Sequence, residues 1–286
     1  MTTAPVLAPS REELVGALEG IRAEAQRVAL VPTMGALHPG HAALVNRART
    51  EVGDGPVVVS IFVNPLQFGP AEDLERYPRS LEADLELCAG AGADLVFAPS
   101  VEEMYPAGSP RVTIDPGPLG EILEGDSRPG HFRGVLTVVA KLFGLVRPDV
   151  SVFGEKDYQQ LVLVRRMAWD LCLGVEVVGA ETVRHDDGLA MSSRNAYLDA
   201  DQRRAATVLA GSLAAARAQG HEGADAALAV ARDELQQAAG LELDYLALTC
   251  PELGPAPAVG DARMLVAARF GKTRLIDNMA LELGRT

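Results

Sequence analysis

The chain has 286 residues, of which 48% are hydrophobic and 23% charged, and this composition excludes disordered, collagen-like and coiled-coil sequences. Its 26 Lys and Arg residues against 39 Asp and Glu residues give a formal net charge of −13, so we expect no nucleic-acid-binding or membrane-binding surface. No signal peptide and no apolar run of membrane-spanning length occurs, so the default expectation is a cytoplasmic protein. The three cysteines, Cys88, Cys172 and Cys250, are predicted to be reduced core residues.

Short apolar runs alternate with helix-like segments between residues 28 and 178. Strands are predicted at residues 28–33, 57–63, 94–98, 150–153 and 175–178. Helices are predicted at residues 40–51, from residue 81 after an N-cap at Ser80, around 135–146 and at 158–170. Because strands and helices of this length alternate, we predict an α/β fold with a parallel sheet covered by helices on both faces.

The C-terminal part of the chain has a different pattern. Two Ala-rich helices are predicted at residues 201–219 and 224–239, followed by strands at 241–249, 262–269 and 273–278. Helices followed by consecutive strands predict a smaller α+β domain, so we divide the chain into domains at residues 1–182 and 183–286. Gly271-Lys272-Thr273 ends like a phosphate-binding loop, but Val266 replaces the first glycine of that motif. A hairpin turn is predicted there instead.

The most informative segment lies between the first predicted strand and its helix. It reads Pro32-Thr33-Met34-Gly35-Ala36-Leu37-His38-Pro39-Gly40-His41. Ligands of an open parallel sheet bind outside the carboxyl ends of the strands, and a helix that begins near Gly40 aims its unpaired N–H groups at an anion. The two imidazoles could both donate hydrogen bonds to a bound phosphate. Two other interpretations stay open: a zinc site, for which no third ligand lies nearby, and two unrelated surface histidines.

Two further polar segments follow predicted strands. Gly154-Glu155-Lys156-Asp157-Tyr158-Gln159-Gln160 offers the Lys156 ammonium for phosphate oxygens and the Gln160 amide for a hydroxyl beside a carboxylate. Phe62-Val63-Asn64-Pro65-Leu66-Gln67-Phe68-Gly69 places Asn64 and Gln67 at the same edge of the sheet. Each segment by itself is also compatible with ordinary structure, a charged helix N-terminus in the first case and a capped turn in the second.

A fourth segment, Met191-Ser192-Ser193-Arg194-Asn195, offers the Arg194 guanidinium, which can bind a phosphate through two parallel hydrogen bonds. The two serine hydroxyl groups add neutral donors. A linker between domains with incidental charge is the alternative interpretation of this segment.

Together with His131-Phe132-Arg133-Gly134-Val135, these segments occur in one order between Pro32 and Asn195 and resemble those of the pantoate:β-alanine ligases, the pantothenate synthetase family. The resemblance implies a Rossmann-like fold of the HxGH nucleotidyltransferase superfamily, with a smaller α+β domain that closes over the ATP site. It implies that (R)-pantoate attacks the α-phosphorus of ATP, giving pantoyl adenylate and pyrophosphate, and that β-alanine then displaces AMP to form pantothenate, on the way to coenzyme A. It also implies a Mg²⁺ ion bound with ATP, and a homodimer.

The resemblance assigns roles to single residues. His41 would donate a proton at the phosphate, and His38, Lys156 and Arg194 would complete the catalytic set. Pantoate would be held by Gln67, Gln160 and Asn64, with Gln67 also bordering the β-alanine site. The residues that would line ATP are Met34, Gly35, Ala36, Leu37, His38, Pro39, Gly40, His41, Gly154, Glu155, Lys156, Asp157, Val183, Met191, Ser192, Ser193 and Arg194. The magnesium ligands are left unassigned; Asp84 is one candidate, but Ala83 stands where some members have a carboxylate.

Two other functions could use the same motifs. A nucleotidyltransferase of the same superfamily would release a nucleotide product, and a nucleotide sensor would do no chemistry. Gln67 and Gln160 favour the ligase, because amides of this kind suit a small hydroxy acid and a nucleotide sensor would not need them.

Overall fold

The computed structural model of the chain describes residues 4–22, 27–70 and 74–284, so both ends of the predicted domain ranges, 1–3 and 285–286, lie outside the described residues. The chain divides into two compact units. The first contains the described residues up to Gly154 together with Gln159–Ala180, and the second contains Glu155–Tyr158 and the described residues from Glu181 onward. The segment Glu155–Tyr158 therefore groups with the second unit, although its neighbours along the chain belong to the first.

One parallel sheet of six strands forms the centre of the first unit. Its strands are β1 (Val6–Ala8), β2 (Ala29–Thr33), β3 (Val57–Ile61), β4 (Leu95–Phe97), β5 (Val150–Gly154) and β6 (Glu176–Ala180). They are ordered β1-β4-β3-β2-β5-β6, which confirms the predicted parallel sheet. The order reverses between β2 and β5, and a crevice for ligands forms where the strand order of an open sheet reverses. The carboxyl ends of β2 and β5 are therefore the place to look for a site.

Buried aliphatic side chains explain why these segments are strands. Val31, Val59 and Val152 have no exposed surface, and they belong to one core cluster that spans β2, β3 and β5. β-Branched side chains favour extended backbone, and strands buried on both faces form near-continuous apolar runs. Strands β2 to β6 therefore follow from the sequence, with boundaries that differ from the prediction by at most two residues.

The helices of the first part of the chain are α1 (Arg11–Arg22), α2 (Pro39–Val52), α3 (Leu81–Ala91), α4 (Val101–Met104), α5 (Glu124–Ser127), α6 (His131–Val146) and α7 (Tyr158–Asp170). Strand β1 and helix α1 were not predicted. Helix α1 has five charged residues among its twelve, and it buries Leu14 and Leu18 on one face. Ser80 is the N-cap of α3, as predicted, but its side chain makes no capping hydrogen bond among the described residues.

The second unit combines helices α8 (Ala200–Ala206), α9 (Val208–Gln219) and α10 (Ala224–Gln236) with strands β7 (Leu241–Thr249), β8 (Gly260–Phe270) and β9 (Thr273–Leu283). The three strands form an antiparallel sheet, which confirms the smaller α+β region. The predicted helix 201–219 is instead two helices, because the N–H of Thr207 bonds back to the carbonyl groups of Arg204 and Ala205 and interrupts the regular pattern. The predicted hairpin turn is confirmed at Gly271, whose φ of +61° suits glycine.

The cysteine prediction was right for Cys88 and wrong for Cys172. Cys88 is buried on α3, Cys172 is exposed after α7, and Cys250 is half-buried with its Sγ 3.2 Å from the Gly254 nitrogen. Burial, with the Asp84 carboxylate nearby, raises the pKa of Cys88 to about 11. In the described part of the chain, no helix is long and apolar enough to cross a membrane.

Thiol reactivity should follow this order of exposure, because the thiolate is the reactive species and Cys88 is both enclosed and hard to ionise. We expect a thiol reagent at neutral pH to modify Cys172 first, Cys250 more slowly and Cys88 only after the protein unfolds. Peptide mass spectrometry over a time course measures the three rates. Native-state modification of Cys88 as fast as that of Cys172 would contradict this packing of α3.

Candidate active site

The loop after β2 ends in a helix N-terminus built from two histidines. His38 is the N-cap of α2, and its Nδ1 accepts a hydrogen bond from the Gly40 nitrogen at 3.2 Å. In return, His41 Nδ1 accepts from the His38 nitrogen at 3.3 Å, which completes a capping box with Pro39 in the first turn. The ring centroids lie 4.1 Å apart. The structure therefore brings the two predicted catalytic histidines together at one helix N-terminus.

This capping geometry defines how each histidine carries its proton. Both Nδ1 atoms accept from backbone N–H groups, so a neutral ring at either position holds its hydrogen on Nε2. Each Nε2 atom is then a donor in the neutral and in the charged form of the ring. With both caps in place, each neutral ring can donate a hydrogen bond from Nε2 to an anion. A ring that transfers a proton must first be protonated on Nδ1, and it then gives up its capping bond.

Asp84 on α3 holds the backbone of the same loop. Its Oδ1 accepts from the Leu37 nitrogen at 2.7 Å and its Oδ2 from the Ala36 nitrogen at 3.1 Å. Gly35 has a φ of +83°, and a Cβ there would lie 3.0 Å from Asp84 Oδ2, so the close approach also favours glycine. Asp84 is only 3% exposed, and this burial raises the pKa of its carboxyl group. The two hydrogen bonds from backbone N–H groups act in the opposite direction and lower the pKa. This geometry gives Asp84 a positioning role in the loop.

The raised pKa of Asp84 predicts a pH effect. An acid whose pKa is higher in the folded protein binds its proton more tightly there, so its contribution to stability falls as the pH rises from about 3.8 through the folded value. Asp84→Asn should remove this slope because an amide does not titrate, and it should cost about 1–3 kcal/mol at neutral pH because the NH2 group that replaces one carboxylate oxygen cannot accept a loop N–H. Urea unfolding from acid to neutral pH, with the exposed Asp54→Asn as control, measures both effects. A wild-type slope in the Asp84 variant would contradict the assignment.

Asn64 and Gln67 lie together after β3, as predicted. Asn64 is 1% exposed, and its Nδ2 donates to Gln67 Oε1 and to the Gly134 carbonyl, both at 3.1 Å. Its Oδ1 accepts from the Leu66 nitrogen at 3.3 Å and from the Tyr105 hydroxyl at 2.9 Å. Because all of its donors and acceptor sites are used inside the protein, this geometry favours a role for Asn64 in orienting Gln67 over direct contact with a ligand.

Gln67, the predicted substrate-binding residue of this cluster, is held at both ends of its amide. Its Oε1 is held by Asn64, and its Nε2 lies 2.9 Å from the sulfur of Met34 in the loop after β2. The cluster therefore joins two of the predicted segments within the first unit. Burial raises the pKa of Tyr105 to about 12, so its hydroxyl remains a donor to Asn64 at neutral pH.

The N-terminus of α6 supports Gln67 from a second side, which the sequence analysis did not predict. His131 Nδ1 lies 2.8 Å from the Gln67 carbonyl, and Arg128 Nη1 lies 2.9 Å from His131 Nε2. A carbonyl must accept and a guanidinium must donate, so this ring is neutral with its hydrogen on Nδ1. Gly134 is required here because a Cβ would lie 2.2 Å from the Leu66 carbonyl oxygen. The only sequence feature that pointed to this support was the motif His131-Phe132-Arg133-Gly134, which carried no assigned role.

Two adjacent glutamines on α7 have different surroundings. Gln159 is buried, and its side chain bonds the Glu124 nitrogen and the carbonyl groups of Leu119 and Ile122 at 2.7 to 3.0 Å. Gln160 is half-buried, and its side chain makes no hydrogen bond to the described residues. The choice of Gln160 over Gln159 as a ligand-binding amide therefore agrees with the hydrogen bonding, and its contact with a substrate stays a prediction.

Lys156 lies in the short turn Glu155–Asp157 that groups with the second unit. Its side chain is 18% exposed, and its Nζ is 3.7 Å from Asp157 Oδ1. The turn is bound to β9 and β8, since Asn278 Nδ2 donates to the carbonyl groups of Glu155 and Lys156 and Arg263 pairs with the Glu155 carboxylate at 3.2 Å. Sequence reasoning missed Asn278 and Arg263. The only signal was a polar pair, Asp277-Asn278, between apolar residues on either side of it.

The segments around Val183 and Arg194 meet within the second unit. The Met191 nitrogen donates to the Val183 carbonyl at 2.9 Å, beside an antiparallel bridge between Arg184 and Ala190. Ser192 caps the 3-10 turn Ser193–Tyr197 by accepting from the Arg194 nitrogen at 3.3 Å. The structure therefore joins these two predicted nucleotide-binding stretches.

A parallel sheet whose order reverses beside a His-x-Gly-His helix N-terminus defines an α/β enzyme of the HxGH nucleotidyltransferase class. A profile of the family described as Pantoate-beta-alanine ligase matches residues 7–280. The chain belongs to this family, and it is a ligase.

Relatives agree over nearly the whole chain. The pantothenate synthetase of Nocardioides sp. is 65% identical over 99% of this chain and 87% of its own, and that of Mycolicibacterium smegmatis is 56% identical over 95% and 86%. A crystal structure of pantothenate synthetase from Thermus thermophilus matches with a TM-score of 0.89 at 50% identity, covering 96% of this chain and 98% of that one. A Francisella tularensis pantoate-beta-alanine ligase complexed with beta-gamma ATP and beta-alanine matches with a TM-score of 0.80 at 33% identity, covering 96% and 97%.

Proposed function

We propose that the protein joins (R)-pantoate to β-alanine in two steps at the expense of ATP. In the first step, a carboxylate oxygen of pantoate attacks the α-phosphorus, the bond to the β-phosphate oxygen breaks, and pyrophosphate leaves. In the second step, the β-alanine nitrogen attacks the acyl carbon of pantoyl adenylate, the bond from that carbon to the phosphate oxygen breaks, and AMP leaves as the amine gives up a proton. The product is pantothenate, on the way to coenzyme A.

The observation that carries this proposal is the two-histidine capping box at the point where the strand order reverses. Phosphoryl transfer of this kind depends on positioning and on stabilising charge, and this helix N-terminus supplies two imidazole donors. We assign His41 as the proton donor at the phosphate and His38 as its partner. Lys156 and Arg194 neutralise the phosphate charge.

The remaining roles follow the predicted sets, except that Asn64, predicted to hold pantoate, is assigned to orienting Gln67. Met34–His41 line ATP on one side, and Gly154–Asp157 and Met191–Arg194 close over it, with the Val183 backbone near the adenine. Gln67 and Gln160 hold the hydroxyl groups and carboxylate of pantoate, and Asn64 orients Gln67. The relative crystallised with an ATP analogue and β-alanine supports the choice of these two substrates.

Magnesium enters this proposal with ATP. Within residues 4–22, 27–70 and 74–284, no group of three or more His, Cys, Asp and Glu side chains could hold a metal ion. Mg²⁺ usually keeps several waters and binds substrate phosphates with one or two carboxylates, so the donor set fits an ion carried by the nucleotide. When bound, it would neutralise charge on the phosphate oxygens. We also propose a homodimer, as in the resemblance, and a cytoplasmic site of action, where ATP is available.

A product assay tests the proposed reaction. The protein is incubated with ATP and magnesium, pantoate and β-alanine are added singly and together, and pyrophosphate and AMP are followed. Pyrophosphate should require pantoate, and AMP should accumulate only when both organic substrates are present. Pyrophosphate without pantoate would indicate another nucleotidyl transfer, and AMP formed regardless of β-alanine would contradict the ligase.

A further inference from the structure

One buried amide on β9 holds the turn that carries Lys156. Asn278 is 4% exposed, and its Nδ2 donates to the Glu155 carbonyl at 2.8 Å and to the Lys156 carbonyl at 2.9 Å. Its Oδ1 accepts from Arg263 Nη1 at 3.0 Å. We propose that Asn278 is a positioning residue that orients Lys156 for phosphate chemistry, an inference that rests on the proposed function.

The two bonded carbonyl groups lie on either side of the Lys156 Cα atom. The Glu155 carbonyl belongs to the peptide plane that precedes this atom, and the Lys156 carbonyl belongs to the plane that follows it. Peptide groups are planar, so fixing both planes fixes φ and ψ of Lys156 and hence the direction of its Cα–Cβ bond. A single side chain therefore determines where the lysine stem begins. A displacement of about 1 Å in such a group can cost about 10²-fold in rate.

The amide itself is held in place by charged neighbours. Arg184 forms two parallel bonds with the Asp277 carboxylate at 2.6 and 2.9 Å, and Asp277 Oδ1 accepts from the Asn278 nitrogen at 2.8 Å. Arg263 stacks on the Tyr158 ring at 3.8 Å while it contacts Glu155 and Asn278. The Tyr158 hydroxyl donates to the Pro251 carbonyl at 3.1 Å. Groups of the second unit therefore hold Glu155 at the start of the turn, Lys156 within it and Tyr158 just after it.

The position of Asn278 on the strand separates this role from packing. Side chains alternate between the two faces of a strand, so Asn278 and Leu275 lie on opposite faces of β9. Leu275 belongs to the core cluster between the sheet and the helices of the second unit. Leu275→Ala is therefore a matched control, because it weakens the packing of the same strand and leaves both carbonyl contacts intact.

The test is a double-mutant cycle on pantoate-dependent pyrophosphate release. Asn278→Ala should slow this step between roughly 10- and 100-fold. In a Lys156→Ala background the same substitution should change the rate by less than about twofold, because the group it orients is absent. Leu275→Ala should keep the wild-type rate at a temperature where it is folded. The Asn278→Asp variant, which keeps the side-chain shape and the acceptor for Arg263, should lose activity as Asn278→Ala does.

The outcomes are separable. Wild-type protein that releases no pantoate-dependent pyrophosphate would overturn the proposed function itself. If the wild type is active and Asn278→Ala keeps the wild-type rate, only the positioning role is overturned. The same follows if Asn278→Ala lowers the rate by the same factor in the wild-type protein and in the Lys156→Ala background. If neither Asn278 variant folds, the residue is structural and the inference is wrong.

Discussion

Replacing His41 by glutamine is expected to slow pyrophosphate release about 10²- to 10³-fold, because the amide can cap α2 but cannot supply a proton at the phosphate. The imidazole of His41 has two roles: its Nδ1 completes the capping box, and its Nε2 is assigned to the phosphate. Glutamine is a common residue at this position of a capping box and can accept the same backbone N–H. The variant should therefore fold and keep its stability while the chemistry fails. Steady-state and burst measurements of pyrophosphate release check the expected loss.

His41→Ala is the companion variant. It removes both functions, so it should lose the same activity and in addition about 0.5–2 kcal/mol of unfolding free energy, the range for loss of an N-terminal cap interaction. The difference between the two variants separates capping from catalysis. A glutamine variant with a near wild-type rate would show that the ring serves only to cap α2, and the assignment of His41 as proton donor would be wrong.

Replacing Lys156 by methionine should also slow pyrophosphate release about 10²- to 10³-fold, because one positive charge is removed from the phosphates. Methionine keeps an unbranched apolar side chain of similar length, so the packing of the half-buried stem is preserved and the fold should be unchanged. Circular dichroism and thermal unfolding would verify the fold. The rate of adenylate formation measures the effect.

Lys272 provides the control for charge. It is the exposed residue of the β8–β9 hairpin turn, and Lys272→Met removes the same charge from the same unit without touching a predicted site. We expect this variant to keep the wild-type rate. Equal losses in the two variants would mean that the net charge of the protein matters, and not an ammonium at position 156.

The sheet could be predicted from the sequence because its information is local. The run at Val57–Ile61 is apolar almost throughout, so its burial is written in neighbouring residues, although the apolar Phe62 and Val63 placed the predicted end two residues too late. The same holds for the loop after β2, where Pro39 and Gly40 mark the helix start between two histidines. Cys172 was misplaced because the flanking leucines suggest a core, whereas the residue lies in an exposed turn with a φ of +51°.

The supports of the site could not be predicted, because they join residues that are distant in the sequence. Tyr105 meets Asn64 across 41 positions, and Asn278 meets Lys156 across 122. Such pairs depend on strand order and register, which no short motif records. Asp84 illustrates the same limit: it was one candidate magnesium ligand by resemblance, and no motif predicted its two hydrogen bonds to the backbone of the histidine loop.

The most direct test of the two-step ligation follows an oxygen atom. Pantoate labelled with ¹⁸O in its carboxylate is converted with ATP and β-alanine, and the AMP is analysed by mass spectrometry. Attack of the carboxylate on the α-phosphorus transfers one labelled oxygen, so the account predicts AMP that carries one ¹⁸O in its phosphate. Unlabelled AMP, or label in inorganic phosphate, would contradict it.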